Sequence, residues 1–264
     1  MGQEAPGITT SPPSTLVRVV TGHVVSSNSM VSRAYLKDSW RGIVAADAGG
    51  GHWLVCTLDA LAPDEEGLLI RGEAEGGPPR AYAKATLTKI VVSWAANAGQ
   101  AADDEEITLA NPRVVRHPRG ASIGVVFLDR NREYARQLQD GKSPAIHVIA
   151  TDGTGSDRAL SLDDTPFDVD VLLAQNDAPA WPVRRRAWLS GISGDGFLGQ
   201  PGTRALDLAL AAADSGSPAF VHETPDSAML AGVVRPVGAH VAMLLPASLI
   251  AETIAHAREG DGPR

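Results

Sequence analysis

Hydrophobic and polar positions alternate over short runs for most of the chain. From Leu16 the segments "LVRVVTGHVV", "SRAYLKD", "WRGIVAAD" and "HWLVCTLDAL" are β-rich and separated by turn formers such as Gly49-Gly50-Gly51. "TKIVVSW" continues the series, and beyond the acidic stretch Asp103 to Glu106 follow "ITLANPRVVRHP" and "ASIGVVFLD". The polar segment "RNREYARQLQDG" reads as a short helix or a crossing linker. Strand patterns then resume in "AIHVIATD", "FDVDVLLAQ", "RRAWLSGIS", "RALDLALA", "SPAFVHE", "AMLAGVV" and "GAHVAML". Two sets of about six strands on either side of a linker predict an all-β protein of two six-stranded antiparallel β-barrels. The last apolar segment, "PASLIAETIAHARE", starts at Pro246 and repeats Leu249, Ile250 and Ile254 at helical spacing, so a C-terminal amphipathic helix is expected to close the second barrel. The expected division is a disordered lead over 1–15, rich in Pro, Ser, Thr and Gly, an N-terminal barrel over 16–130, a C-terminal barrel with its helix over 131–258, and a tail over 259–264.

Composition narrows this picture. Aromatic residues make up 5% of the 264, while glycine (27) and proline (18) are plentiful, which favours short strands joined by turns. A net charge of -8 leaves no excess of cations to neutralise phosphates, so nucleic acid is not an expected partner. Arg184-Arg185-Arg186, the compact basic cluster, reads as a solvated strand or loop, and the acidic runs Asp64-Glu65-Glu66 and Asp103 to Glu106 as solvated loops. The most apolar stretch is interrupted by Arg235, Pro236 and Pro246, so no membrane span is expected. A single cysteine, Cys56 in "WLVCTL", reads as a buried inert thiol; with no secretory pattern at the start of the chain, a cytoplasmic setting is expected.

The candidate chemistry centres on Asp214-Ser215-Gly216-Ser217-Pro218. By itself this pentapeptide is a tight turn, since each residue type favours turns. Three other features stand in sequence order with it: "LVCTLDAL", the His-Pro segment "RHPRGASIGVVFL", and the closing "VVRPVGAHVAMLLPASLI". Together they resemble the trypsin-like, chymotrypsin-fold serine peptidases, particularly bacterial intracellular forms, over about residues 16 to 258. That resemblance implies two barrels with a cleft between them, and it places Ser215 at the nucleophile. The strand that would end in the general-base histidine leads here to Asp59. Ser122 then stands where the orienting aspartate belongs; alternatively, "FDVDVLLA" supplies a carboxylate, Asp168, at the cost of a short stretch before Ser215. The oxyanion donors would be the N–H groups of Ala213 and Ser215, with alanine where the family has glycine, and Ala209 would floor an apolar specificity pocket.

These replacements bear directly on activity. A serine hydroxyl becomes a nucleophile when a neighbouring base with a pKa near 7 takes its proton and returns it to the leaving group. Aspartate, with an ordinary pKa of about 3.9, is poorly matched to that role and shorter than histidine. At position 213 a Cβ disfavours a positive φ by about 1–2 kcal/mol, and a flipped peptide would turn a carbonyl into the oxyanion site. The resemblance therefore implies a catalytically degenerate homologue, a pseudoprotease acting as a peptide- or protein-binding or regulatory module. The alternative is a weakly active serine hydrolase using Ser215 with a non-standard base, either Asp59 or one of the histidines His23, His52, His117, His147, His222, His240 and His256. No histidine pair has zinc-helix spacing and no carboxylate run forms a calcium loop, so neither metal nor cofactor is expected. Gly194-Asp195-Gly196-Phe197-Leu198-Gly199 fits a dinucleotide pattern formally, but Pro201 and Gly202 cannot open the required helix, and a turn is expected there.

Overall fold

The structure, a computed structural model, describes residues 16–27, 30–61, 84–94, 105–140, 146–148, 167–173, 183–190, 197–200, 202–224 and 227–260. The expected disordered lead, the acidic run 64–66 and the extreme C-terminus lie outside the described residues. Two curled sheets and a C-terminal helix make up the fold.

The first sheet contains β1 (Leu16–Ser27), β2 (Met30–Ala46), β3 (His52–Thr57), β4 (Lys84–Trp94), β5 (Glu105–Ala110), β6 (Val115–Arg116) and β7 (Ile123–Phe127), in the spatial order β5-β4-β1-β2-β3-β7-β6. β8 (Ile146–Val148) pairs in parallel with Val44–Ala46 of β2, so chain beyond the polar linker returns to this sheet. Six strands in each barrel is therefore not the arrangement found. The segment after the polar linker, read as a strand of the second barrel, adds β8 to the first sheet instead.

The second sheet closes on itself in the order β10-β11-β14-β13-β12-β9. Its strands are β9 (Phe167–Leu173), β10 (Val183–Ser190), β11 (Arg204–Asp207), β12 (Pro218–Thr224), β13 (Ser227–Pro236) and β14 (Val241–Pro246). The basic cluster Arg184 to Arg186 falls on β10, opposite Leu172, Val171 and Asp170 of β9.

The uninterrupted apolar run of β3 has a packing explanation. Trp53 and Val55 face a cluster shared with the second sheet, while Leu54 and Cys56 face the interior of the first. Ile43 and Val44 of β2, and Val125 and Val126 of β7, divide between the same two clusters. Strands sandwiched in this way need apolar residues on both faces, which removes the alternation of a strand wetted on one side. Burial also pushes the Cys56 thiol far above its ordinary pKa, as an inert core thiol requires.

Helix α1 (Leu58–Leu61) follows β3 directly. The polar linker forms α2 (Arg132–Gln139), capped by Asn131, whose Oδ1 accepts from Tyr134 N–H at 2.9 Å. The polar side chains around it serve β5: Asn131 Nδ2 donates to Thr108 O at 2.9 Å, Gln137 Nε2 donates to Glu106 O, and Thr108 N–H donates to Glu133. Backbone groups on the edge of β5 are thereby closed to another strand. The C-terminal helix, α3 (Ala247–Gly260), begins after Pro246 and buries Leu249, Ile250 and Ile254 against both sheets, as its spacing predicts. Among the described residues no helix is long and apolar enough to cross a membrane.

Candidate functional site

Ser215 lies between a single 3₁₀ turn, Ala212–Asp214, and the start of β12. Gly216 has φ of +94°, the left-handed region that glycine tolerates, and a Cβ there would fall on the carbonyl oxygen of Arg41. Backbone hydrogen bonds wedge the turn between the sheets: Arg41 N–H donates to Ser215 O, Gly216 N–H to Val234 O, and Val234 N–H to Ser217 O. The D-S-G-S-P sequence thus reaches β2 of the first sheet and β13 of the second within three residues.

The side chain of Ser215 meets two residues from the end of β3 and the start of α1. Its Oγ is 2.9 Å from Thr57 Oγ1 and donates to Asp59 Oδ2 at 3.3 Å. Arg235 on β13 donates from Nε to Asp59 Oδ2 at 2.6 Å and from Nη2 to Oδ1 at 2.7 Å, a bidentate, charge-assisted pair. The hydrogen bond to Asp59 holds the Arg235 guanidinium protonated against the desolvation it suffers. Because an ionised carboxylate only accepts, the Ser215 proton points to Asp59 and the Thr57 hydroxyl donates to Ser215 Oγ. Ser215 is 1% exposed and Thr57 0%, so the hydroxyl chain is closed to solvent.

Of the two expected oxyanion donors, that of Ser215 is committed within the turn. Ser215 N–H donates to Ala212 O at 3.1 Å, and Asp214 N–H to Ala211 O at 3.0 Å. Among the described residues other than glycine only Asn111 and Leu198 have positive φ, so Ala213 avoids that conformation. The Cβ supplies the reason: a 3₁₀ turn accommodates alanine with ordinary φ, and the Ala212 carbonyl then takes up the N–H that would face an oxyanion.

The structure brings Asp59 and Ser215 together from the two sheets. Ser122 approaches through its backbone, its carbonyl accepting from Leu58 N–H at 3.0 Å, while its hydroxyl accepts from Gln200 Nε2 at 3.4 Å; the partner on Asp59 is Arg235. Asp168 sits on β9 of the second sheet opposite Trp188, and its side chain lies outside the described residues. Ala209 is exposed on the stretch after β11, next to the buried Leu208. Of the formal dinucleotide pattern, Phe197–Gly199 forms a 3₁₀ turn. No imidazole is among the partners of Ser215 Oγ within the described residues: His52 binds Asp129 at 2.7 Å, and His147 and His222 have side chains outside the description. No group of three or more metal-ligating side chains occurs among the described residues.

Thr57 and Arg235 were not singled out by sequence reasoning. Arg235 had a signal: a lone charge in "AMLAGVVRPVGAHVAMLL" requires a partner if the strand is buried. Thr57 had none, since threonine is common in strands.

Near the site, His117 lies on the loop leading to Ser122. Its Nδ1 accepts from Arg119 N–H and Ala121 N–H, and its Nε2 is 3.3 Å from Glu252 of α3, with Arg119 and His256 also acting on it. Burial lowers its pKa from 6.5, with Glu252 opposing. Below that ordinary value the unfolded chain binds the proton more readily than the folded one, so this contribution to stability is complete above about pH 6.5 and is lost on acidification. His117→Gln is expected to flatten the fall of Tm between pH 7 and 5; an unchanged pH dependence would contradict this.

Comparison with known proteins supports the class that this fold defines. No protein-family model matches the chain, and no curated protein matches it by sequence. A thermostable serine protease from an extremophilic microorganism superposes with a TM-score of 0.52 at 10% identity, over 93% of this chain and 98% of that one. The HtrA-type protease AlgW, solved with a tripeptide, aligns at 13% identity and TM-score 0.45 over 96% and 62% of the respective chains. An inactivated protease paralogue of the scabies mite aligns at 10% identity and TM-score 0.47 over 94% and 93%. At 10% identity the likeness to the thermostable serine protease establishes the fold alone, and the fold is chymotrypsin-like.

Proposed function

We propose that this chain is a catalytically degenerate member of the serine-protease fold, a pseudoprotease that acts as a protein- or peptide-binding module in the cytoplasm. The observation that carries the reading is the partner set of Ser215: its Oγ–H donates to a carboxylate already paired with Arg235, its Oγ lies against Thr57, and its N–H is taken by Ala212 O. A peptidase serine needs a base that can take and return its proton, and free donors aimed at the developing oxyanion. Asp59 is engaged at both oxygens and the Ser215 donor is spent. In serine proteases loss of the nucleophile or its base costs up to about a millionfold in turnover. A fold can retain binding after losing its chemistry, because binding requires the surface and not the base.

The contact of 3.3 Å between Ser215 Oγ and Asp59 is the observation favouring the alternative, a slow hydrolase with a carboxylate base. Labelling with a fluorophosphonate separates the two. The proposal predicts no stoichiometric modification of the native protein after hours with a large excess of reagent. Complete labelling at Ser215, abolished by Ser215→Ala, would establish a working nucleophile.

A further inference from the structure

One oxygen of Asp59 serves two donors. Ser215 Oγ–H reaches Oδ2 at 3.3 Å and Arg235 Nε reaches the same atom at 2.6 Å, while Arg235 Nη2 occupies Oδ1. We infer that Arg235 is the third member of this constellation, a positioning residue that keeps Ser215 unreactive by engaging both oxygens of Asp59, including the one that accepts from Ser215. The inference rests on the reading of a silent peptidase site and names the residue that silences it. Relative to a serine, a neutral base and an orienting carboxylate, the charge order is reversed: the anion lies next to the serine and the cation lies behind it.

The direction of the effect follows from where charge moves. For Ser215 to attack an electrophile, a bond forms from Oγ, the Oγ proton passes to Asp59 Oδ2, and the negative charge leaves Asp59 for the oxygen or leaving group of the electrophile. Arg235 touches Asp59, so it stabilises the starting anion more than the transition state, and an interaction stronger in the ground state raises the barrier. Carrying a unit charge from about 3 Å to about 6 Å from a cation, at an effective dielectric near 20, corresponds to a rate factor on the order of 100. Arg235 and Asp59 side chains are 28% and 29% exposed, and solvent screening reduces that factor toward about tenfold. Lack of a histidine alone would leave Asp59 available as a weak base. Arg235 removes that option as well. Its approach is fixed by the β13–β14 pairing, Arg235 opposite Met243, with Pro236 next in the strand.

The test is the rate of fluorophosphonate labelling at Ser215 in the full chain, measured for wild type, R235M, R235Q, R235K and the double variant D59N/R235M. In the labelling step an Oγ–P bond forms, the P–F bond breaks, fluoride departs, and the Oγ proton goes to Asp59 Oδ2 and then to water. R235M and R235Q are expected to label at least tenfold faster than wild type. R235K, which keeps a cation, is expected to be slower than R235M, and D59N/R235M to lose the gain. The inference is overturned if both neutral variants retain the native circular dichroism and melt yet label no faster than wild type, if R235K matches R235M, or if D59N/R235M keeps the gain. Loss of the folded state in both R235M and R235Q would make Arg235 a structural clamp and also overturn it. Rapid labelling of wild type would defeat the proposed function on its own, whereas Arg235 is judged by the ratio of variant to wild type.

Discussion

Replacing Gly216 with alanine is expected to destabilise the protein by about 3 kcal/mol or more, the largest loss from a single added methyl group at this site. Two costs combine. A Cβ at φ of +94° costs about 1–2 kcal/mol. Its collision with the Arg41 carbonyl oxygen is a contact with backbone, which cannot swing aside, and overpacking of that kind costs about 1–3 kcal/mol. Relief requires the turn to withdraw from β2, which breaks the Arg41 N–H to Ser215 O bond between the sheets. The check is urea denaturation: the midpoint should fall with the slope unchanged, and a loss under about 1 kcal/mol would show that Gly216 is not held against Arg41.

Asp47→Ala is expected to cost about 2–4 kcal/mol. The Asp47 side chain is 1% exposed; its Oδ1 accepts from Gly49 N–H at 2.7 Å and Gly51 N–H at 3.1 Å, and its Oδ2 from Trp53 Nε1–H at 2.8 Å. Although burial alone would raise the Asp47 pKa, the hydrogen bonds from Trp53, Gly51 and Gly49, with Arg258 nearby, bring it below the ordinary value. Truncation leaves an indole N–H and two backbone N–H groups without their acceptor, and each unsatisfied buried donor costs about 1–3 kcal/mol before water enters. Water can enter, because a cavity of about 360 Å³ lined by Asp47, Trp53, Phe127 and Arg258 adjoins the turn. Asp47→Asn keeps an acceptor for part of the set and is expected to lose less. Thermal melts of the two variants, followed by circular dichroism, check the order; equal losses would contradict the hydrogen-bond account.

Much of the fold is legible along the chain because its signals are local. Apolar patterning marks the strand segments of β1 to β4, although "SRAYLKD" and "WRGIVAAD", read as two strands, form the single strand β2, and β3 reads as a continuous apolar run because it lies between two cores. The closing helix is announced by Pro246 and by the spacing of Leu249, Ile250 and Ile254. The attachment of β8 to β2 was not legible, since a parallel pair of three residues depends on a distant strand having a free edge. Within the site, Ser215 and Asp59 could be found from their neighbours. Their contact with Arg235 could not.

By itself the sequence determined where most of the strands lie, where the chain must turn, and that the strand β3 runs directly into Asp59. Those features depend on side-chain period, φ preference and intrinsic acidity, properties each residue carries into any surroundings. Only the tertiary structure decided that Arg235 of β13 reaches Asp59 of α1, that Thr57 closes over Ser215, and that Ala212 O captures the Ser215 N–H. The first two contacts join residues of different sheets, or residues far apart in the chain, and exist only once the sheets pack. The third is local in sequence, yet the tertiary contacts of Gly216 and Ser215 with Arg41 and Val234 hold the turn in which it forms.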